Sequence, residues 1–210
     1  MKDILKLCLS LGIICAVAGA ALAYVNKITR EPRAAAEQAV RIRNLKLVLP
    51  QETNSTQEDA TVGEVKFFQA LDKDHRLLAY AAEAASNKGF GGEVRVLVGI
   101  SLQGEILGVI VSKHSETPGI GTLVTDRKAP QSFWDVITGQ AKVNAFPPNA
   151  CLDSYTGKAL TTAFSFDKGE NKVIAVSGAT ISSKAVLAAV NAVTVAWQQK
   201  QSAPAVLTQP

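Results

Sequence analysis

From Leu7 to Val25 the chain reads LCLSLGIICAVAGAALAYV, apolar or small at every position except Ser10, with Lys2, Asp3 and Lys6 before the run and Lys27 after it. As a helix, a run of this length spans the hydrocarbon core of a bilayer, so the rest of the chain is either tethered to a membrane or delivered through one. Ala21-Leu22-Ala23 also matches the small-x-small pattern of a cleaved secretory signal behind a charged start. The length of the run, and its continuation through Tyr24 and Val25, favour a retained anchor. Both readings export the remainder of the chain. Charge bias points the other way, because Lys27, Arg30, Arg33, Arg41 and Arg43 outnumber the positive charges on the N-terminal side. Charge alone therefore leaves open a signal anchor with its domain inside.

Behind the anchor, the bulk composition suits one compact domain: 210 residues, 47% apolar and 19% charged, can bury a single core with an appendage. The formal net charge of +4 is mild and its basic residues are scattered among acidic ones without interleaved aromatics, so no nucleic-acid partner is expected. Of three cysteines, Cys8 and Cys15 lie in the apolar run, which leaves Cys151 without an internal disulfide partner in the folded domain. His75 and His114 stand apart from each other and from Cys151, so both read as surface or structural residues and no metal site is expected.

Apolar periodicity organises the remainder. Ala34 to Leu49 has a helical pattern that Pro50 ends, and QETNSTQEDATVGE after it reads as a polar surface loop. VKFFQAL, LLAYAAEA, EVRVLVGIS and EILGVIVS read as strands; in the third, Val94, Val96, Val98 and Ile100 share one face while Arg95, Leu97 and Gly99 take the other. LQGEI is a hairpin turn in which Gly104 adopts positive φ. Ala129 to Thr138 forms a short helix ending at Gly139, and the tail QSAPAVLTQP frays. The clearest helix is Ser183 to Gln199, where Val186, Val190, Val193 and Trp197 recur at helical spacing. The class is α+β: an antiparallel sheet with packed helices behind a single N-terminal transmembrane helix.

The stretch VSGATISSKAVLAAV places Ser177, Thr180, Ser182 and Ser183 at the mouth of that last helix. With Ser182 or Ser183 as its cap, the unpaired first amides and the aligned peptide dipoles make a seat for a phosphate. Dipole attraction amounts to roughly 0.3–1 kcal/mol when exposed, so a lasting cofactor needs further contacts or a covalent link. Gly178 and Ala179 keep the Thr180 hydroxyl sterically open as an acceptor. Taken alone, the stretch is equally a small polar turn with an N-cap. A hydrolase built on Ser177 is excluded, because the G-x-S-x-G elbow is absent and neither histidine lies in a catalytic setting.

SGAT before a helix, HSETPGIGTLV (residues 114–124) and GFGGEVRVLVGIS (89–101) followed by GEILGV together resemble the FMN-binding domain of the G subunit of the Rnf electron-transport complex. The C subunit of the sodium-translocating NADH:quinone reductase shares this domain and supplies the alternative relay reading. The resemblance implies a threonine esterified to FMN by a flavin transferase that uses FAD. Here that acceptor is Thr180, with Ser177, Gly178, Ala179, Ser182 and Ser183 around it. It further implies that Glu116, Thr117, Pro118, Gly119 and Gly121 line the flavin, with Ile120 in place of the family's leucine. Pro118 stiffens this loop, while Gly119 and Gly121 let backbone approach a flat ring. Gly89, Gly91 and Gly92 read mainly as structural. One departure is Ile174, since the flavinylation pattern has an acidic residue three positions before the motif serine; this favours the alternative of a membrane-anchored assembly or binding module without covalent flavin.

The expected organisation is thus a membrane anchor (1–27), a juxtamembrane helix and polar loop (28–63), the FMN-binding domain (64–200) and a flexible tail (201–210). No residue is expected to be catalytic by itself. The implied setting is a relay subunit of a redox-driven ion translocase in a bacterial or archaeal cytoplasmic membrane, with the domain on the outer side. Its implied partners are the other membrane and peripheral subunits and, during maturation, the transferase.

Overall fold

In the computed structural model, which describes residues 2–127, 146–167 and 169–202, the chain divides into two compact units, Met1–Ile42 and Arg43–Pro210. The first is helical and belongs to α1 (Lys2–Val48). The most apolar window of α1 has a mean hydropathy of 2.2 and none of it is buried, so α1 is long and apolar enough to cross a membrane. The helix expected over Ala34–Leu49 is no separate element but the end of α1, with Pro32 inside it. It stops at Val48 because Pro50 disfavours helical backbone in the residue before it.

The second unit is built on five antiparallel strands in the order β1-β2-β3-β4-β5: β1 (Ser55–Val62), β2 (Val65–Leu71), β3 (Leu77–Gly89), β4 (Gly92–Ser101) and β5 (Ile106–Lys113). The four expected strands are present. β1 corrects the reading of QETNSTQEDATVGE as a loop. Its polar sequence carries little period-2 signal because it is an edge strand with much of its surface in solvent, held by its ladder to β2 from Ser55↔Leu71 to Val62↔Val65. At the β4–β5 turn Gly104 has φ +85, as expected, and a Cβ there would also stand 2.9 Å from Trp197 Nε1.

Both faces of the sheet are covered. Val94, Val96, Val98 and Ile100 of β4 lie in the larger core with Val65, Phe67 and Ile106, beneath α4 (Thr180–Ser202). On the other face Leu97 joins Phe68 and Ile110 beneath Leu45, Val48 and Leu49. The alanines of β3 serve both sides: Ala82 and Ala84 face α4, whereas Ala79 and Ala81 face the end of α1. Small side chains permit this close approach, and Gly99 is the extreme case, where a Cβ would overlap the Val48 carbonyl. Val186, Val190, Val193 and Trp197 are all buried, as their spacing requires. Two short helices, α2 (Thr122–Thr125) and α3 (Ala150–Asp153), complete the described domain. The helix expected over Ala129–Thr138 and most of the expected tail lie outside the described residues.

Candidate functional site

The site begins at a left-handed turn. Gly178 has φ +82, a conformation that costs glycine nothing and other residues about 1 kcal/mol or more, and the chain enters α4 immediately afterwards. The helix starts at Thr180, three residues earlier than expected, and neither Ser182 nor Ser183 is its cap. Ser183 is fully buried: its hydroxyl accepts from the Val176 amide at 3.1 Å and donates to the Ala179 carbonyl at 3.0 Å. That inward bond lets the first turn form over residues read as a loop. The Ser183 amide donates to the Ala179 carbonyl, which leaves the amides of Thr180, Ile181 and Ser182 ahead of the first intrahelical bond.

Ser182 is also buried, and its hydroxyl donates to Glu116 Oε2 at 2.8 Å across 66 residues of sequence. Glu116 is only 5% exposed, and its Oε1 has no hydrogen-bond partner among the described residues. Glycine surrounds this carboxylate: a Cβ at Gly121 would lie 2.6 Å from Oε2, and one at Gly89 would lie 2.5 Å from Oε1. The segment is oriented from the other side by His114. Its Nδ1 accepts from the Glu116 amide at 3.3 Å and its Nε2 faces Asp126 Oδ1 at 2.8 Å, so the imidazole is structural, as expected.

Beyond Glu116 the loop turns back on itself. The Gly121 and Thr122 amides donate to the Thr117 carbonyl, Gly119 adopts φ +81, and its amide donates to the Thr122 hydroxyl at 2.8 Å. Its far end is held by Asn149. This side chain caps α3 through the amides of Cys151 and Leu152 and donates to the carbonyls of Leu123, Val124 and Asp126. Beside it, buried Arg127 pairs with Asp153 at 2.7 Å, lies 3.7 Å over the Phe146 ring, and is held below the usual guanidinium range by its burial.

These segments enclose a cavity of about 450 Å³. One side is formed by Gly178, Ala179, Thr180, Ile181 and Ser182, the other by Glu116, Thr117, Ile120 and Gly121, with Phe90 at the rim. Thr180 is exposed at the edge of the cavity, in contrast to the buried Ser182 and Ser183. Glu116 is the one ionisable group among the lining residues. Most predicted residues thus converge, whereas Ser177, Pro118 and Gly119 are exposed and do not line the cavity, and Ser183 lies beneath it.

Ile120, read as part of the lining loop, does line the cavity, whereas sequence reasoning missed Phe90 and Ile181. Their only signal is a large apolar side chain left exposed among glycines and hydroxyls: 68% and 50% respectively. The tight packing of the β3–β4 hairpin on the Ser115–Glu116 segment was equally hidden, because a clash avoided by glycine appears only once two distant segments meet.

Residues 89–194, half of the chain, match the FMN-binding domain family. The chain is 33% identical over 126 residues to the G subunit of an ion-translocating oxidoreductase complex of Haemophilus influenzae, covering 56% of this chain and 59% of that protein. It is 30% identical over 185 residues to the G subunit of a proton-translocating ferredoxin:NAD(+) oxidoreductase complex of Clostridium ljungdahlii, covering 84% and 82%. Among solved structures, it is similar to the crystal structure of Shewanella oneidensis NqrC, with a TM-score of 0.47 and 20% identity over 73% of each chain. With the family matched over the hairpin, the loop and the helix that build the cavity, the chain belongs to the FMN-binding domain family and, within it, to the G subunits of the Rnf-type ion-translocating oxidoreductases.

Proposed function

We propose that this chain is a flavin-carrying relay subunit, with FMN attached through a phosphoester to Thr180, in a membrane-bound ferredoxin:NAD oxidoreductase complex that translocates ions. The observation that carries the reading is the convergence of the Glu116–Gly121 and Gly178–Ser182 segments on one cavity with an exposed threonine at its edge. The residues fit such a group. A volume of about 450 Å³ lies within the roughly 300–1,000 Å³ of ligand sites, and its walls are mostly apolar. The amides opening α4 and the exposed ammonium of Lys184, one turn on from Thr180, provide positive potential for a phosphate. Glu116 Oε1, without a hydrogen-bond partner among the described residues, is a buried acceptor next to the cavity.

Bound FMN supplies electron transfer singly or in pairs. The chain's own part is to tether, orient and shield. In maturation the Thr180 oxygen forms the new P–O bond to the FMN phosphorus of FAD, AMP departs and the hydroxyl proton is released, under a flavin transferase. Helix α1 holds the domain to the bilayer as a single pass, on the outer side of a bacterial or archaeal cytoplasmic membrane, within reach of the other subunits. The names of the relatives support that assembly, and a relay like the C subunit of the NADH:quinone reductase is the nearest alternative. Ile174, 55% exposed where an acidic residue is expected, favours a second reading as an assembly module without covalent flavin.

Intact mass separates the two. Protein produced with a flavin transferase gains the mass of FMN less water and gives a fluorescent band in a denaturing gel, and Thr180→Val loses both. Undiminished covalent flavin in Thr180→Val removes Thr180 from the scheme, whereas no mass gain in the native protein favours the module.

A further inference from the structure

We infer that Phe90 is a wall of this site, its ring lying against the bound isoalloxazine and keeping water from one face of it. The inference rests on the flavin reading above and gives a role to a residue that lies within the GFGG motif but has none from the resemblance. A single exposed hydrophobic residue is ordinary on a protein surface. Three observations separate Phe90 from that background.

First, at 68% exposure it is the most exposed large hydrophobic residue described in the second unit, and it lines the cavity next to which Thr180 stands. Second, its mounting is rigid. Gly89 pairs with Gly92 to close the hairpin, leaving Phe90 and Gly91 as the tip. A Cβ at Gly91 would overlap the Ser115 carbonyl, and one at Gly89 would stand 2.7 Å from the Val94 side chain. Only glycines allow the tip to settle this closely on the Ser115–Glu116 segment, so the aromatic ring is displayed by a clamped turn rather than by a free loop. Third, the other exposed apolar residues of the cavity, Ile120 and Ile181, come from the two segments that flank it. A planar apolar ligand therefore meets an aromatic face and two branched aliphatic side chains, with no ionisable group except Glu116. This composition suits a flat heteroaromatic ring, which an aromatic side chain meets favourably in offset stacking.

A docked protein segment on Phe90 is the competing use, and the two differ in what they do to the flavin itself. The full chain is loaded with FMN by a transferase, loading is measured by intact mass, and collisional quenching of flavin fluorescence by iodide is compared in wild type, Phe90→Leu and Phe90→Ala. Ligand sites cover roughly 70–90% of a bound ligand, so losing one wall raises the quenching constant by roughly twofold. The expected order, read on the flavin-loaded fraction that intact mass gives for each variant, is wild type lowest, Phe90→Leu intermediate and Phe90→Ala highest. Fully loaded Phe90→Ala that quenches like wild type overturns the inference and leaves the tether standing. A wild-type chain without added mass overturns both. Phe90 is largely solvent-exposed, and the Leu variant retains apolar bulk, so both substitutions leave the core intact.

Discussion

At the scale of single residues, neighbours assign roles that residue type alone leaves open. Four hydroxyls open the last helix region, yet Ser182 and Ser183 are consumed by buried hydrogen bonds and Thr180 stands exposed at the cavity. Cys151 shows the same logic in the core. It is fully buried, and burial pushes its thiol up to about 11, because the thiolate loses water without gaining a partner. In the unfolded chain the thiol ionises near its ordinary value. Between the two values the folded state holds more protons, so this contribution to stability is complete below about pH 9 and is lost as pH rises toward 11, on the order of 2–3 kcal/mol in all. Tyr155, fully buried and pushed up by its burial, acts in the same direction. Urea unfolding at neutral pH and at about pH 10.5 should show this fall, with a smaller fall in Cys151→Ala; an equal fall in both would remove the thiol as a source.

At the scale of elements, the strands were legible as short apolar runs and α4 by its helical period. β4 sends Val94, Val96, Val98 and Ile100 into one core and Leu97 into the other, so it is buried on both faces, and α4 repeats its buried positions at 186, 190, 193 and 197. Two elements escaped for opposite reasons. β1 was hidden because an edge strand needs backbone pairing more than apolar alternation. The first turn of α4 was hidden because SGATISS has the composition of a turn, and the inward bond of Ser183 that overrides it is not a pattern in sequence. Asn149 is the connector between elements, accepting from two amides of α3 and donating to three carbonyls at the end of the α2 segment. Asn149→Ala therefore removes a helix cap and leaves buried carbonyls unpaired, a loss of about 2 kcal/mol or more. Chemical denaturation measures it, and a loss below about 0.5 kcal/mol would mean that water replaces the side chain without penalty.

At the scale of the whole molecule, the second unit depends on the last residues of α1. Leu45, Val48 and Leu49 cover the face of the sheet that carries Phe68, Leu97 and Ile110. A fragment beginning at Arg43 keeps that cover and should fold cooperatively. One beginning at Gln51 exposes the face and loses roughly 5 kcal/mol from three buried aliphatic side chains, against a total domain stability of roughly 5–15 kcal/mol. It should aggregate or melt without a cooperative transition, as size-exclusion chromatography and calorimetry would register. Equal behaviour of the two fragments would mean that the sheet needs no cover from α1. The juxtamembrane segment, which reads in sequence as a helix set apart from the FMN-binding domain, thus contributes core to the domain C-terminal to it.

The sequence by itself determined the apolar helix, the alternating strands, the final amphipathic helix and the three motifs that mark the family. All of these are local: periodicity, turn chemistry and short ordered strings act between residues near one another in the chain. Only the tertiary structure decided that Glu116 is buried against Ser182, that Gly89, Gly91 and Gly121 are glycines because neighbouring backbone and the carboxylate occupy the space of a side chain, and that Phe90 overhangs the same cavity as Thr180. Steric exclusion and the desolvation of a polar group depend on which distant segments meet, and that meeting is set by the closure of the sheet under α4 rather than by any stretch of sequence.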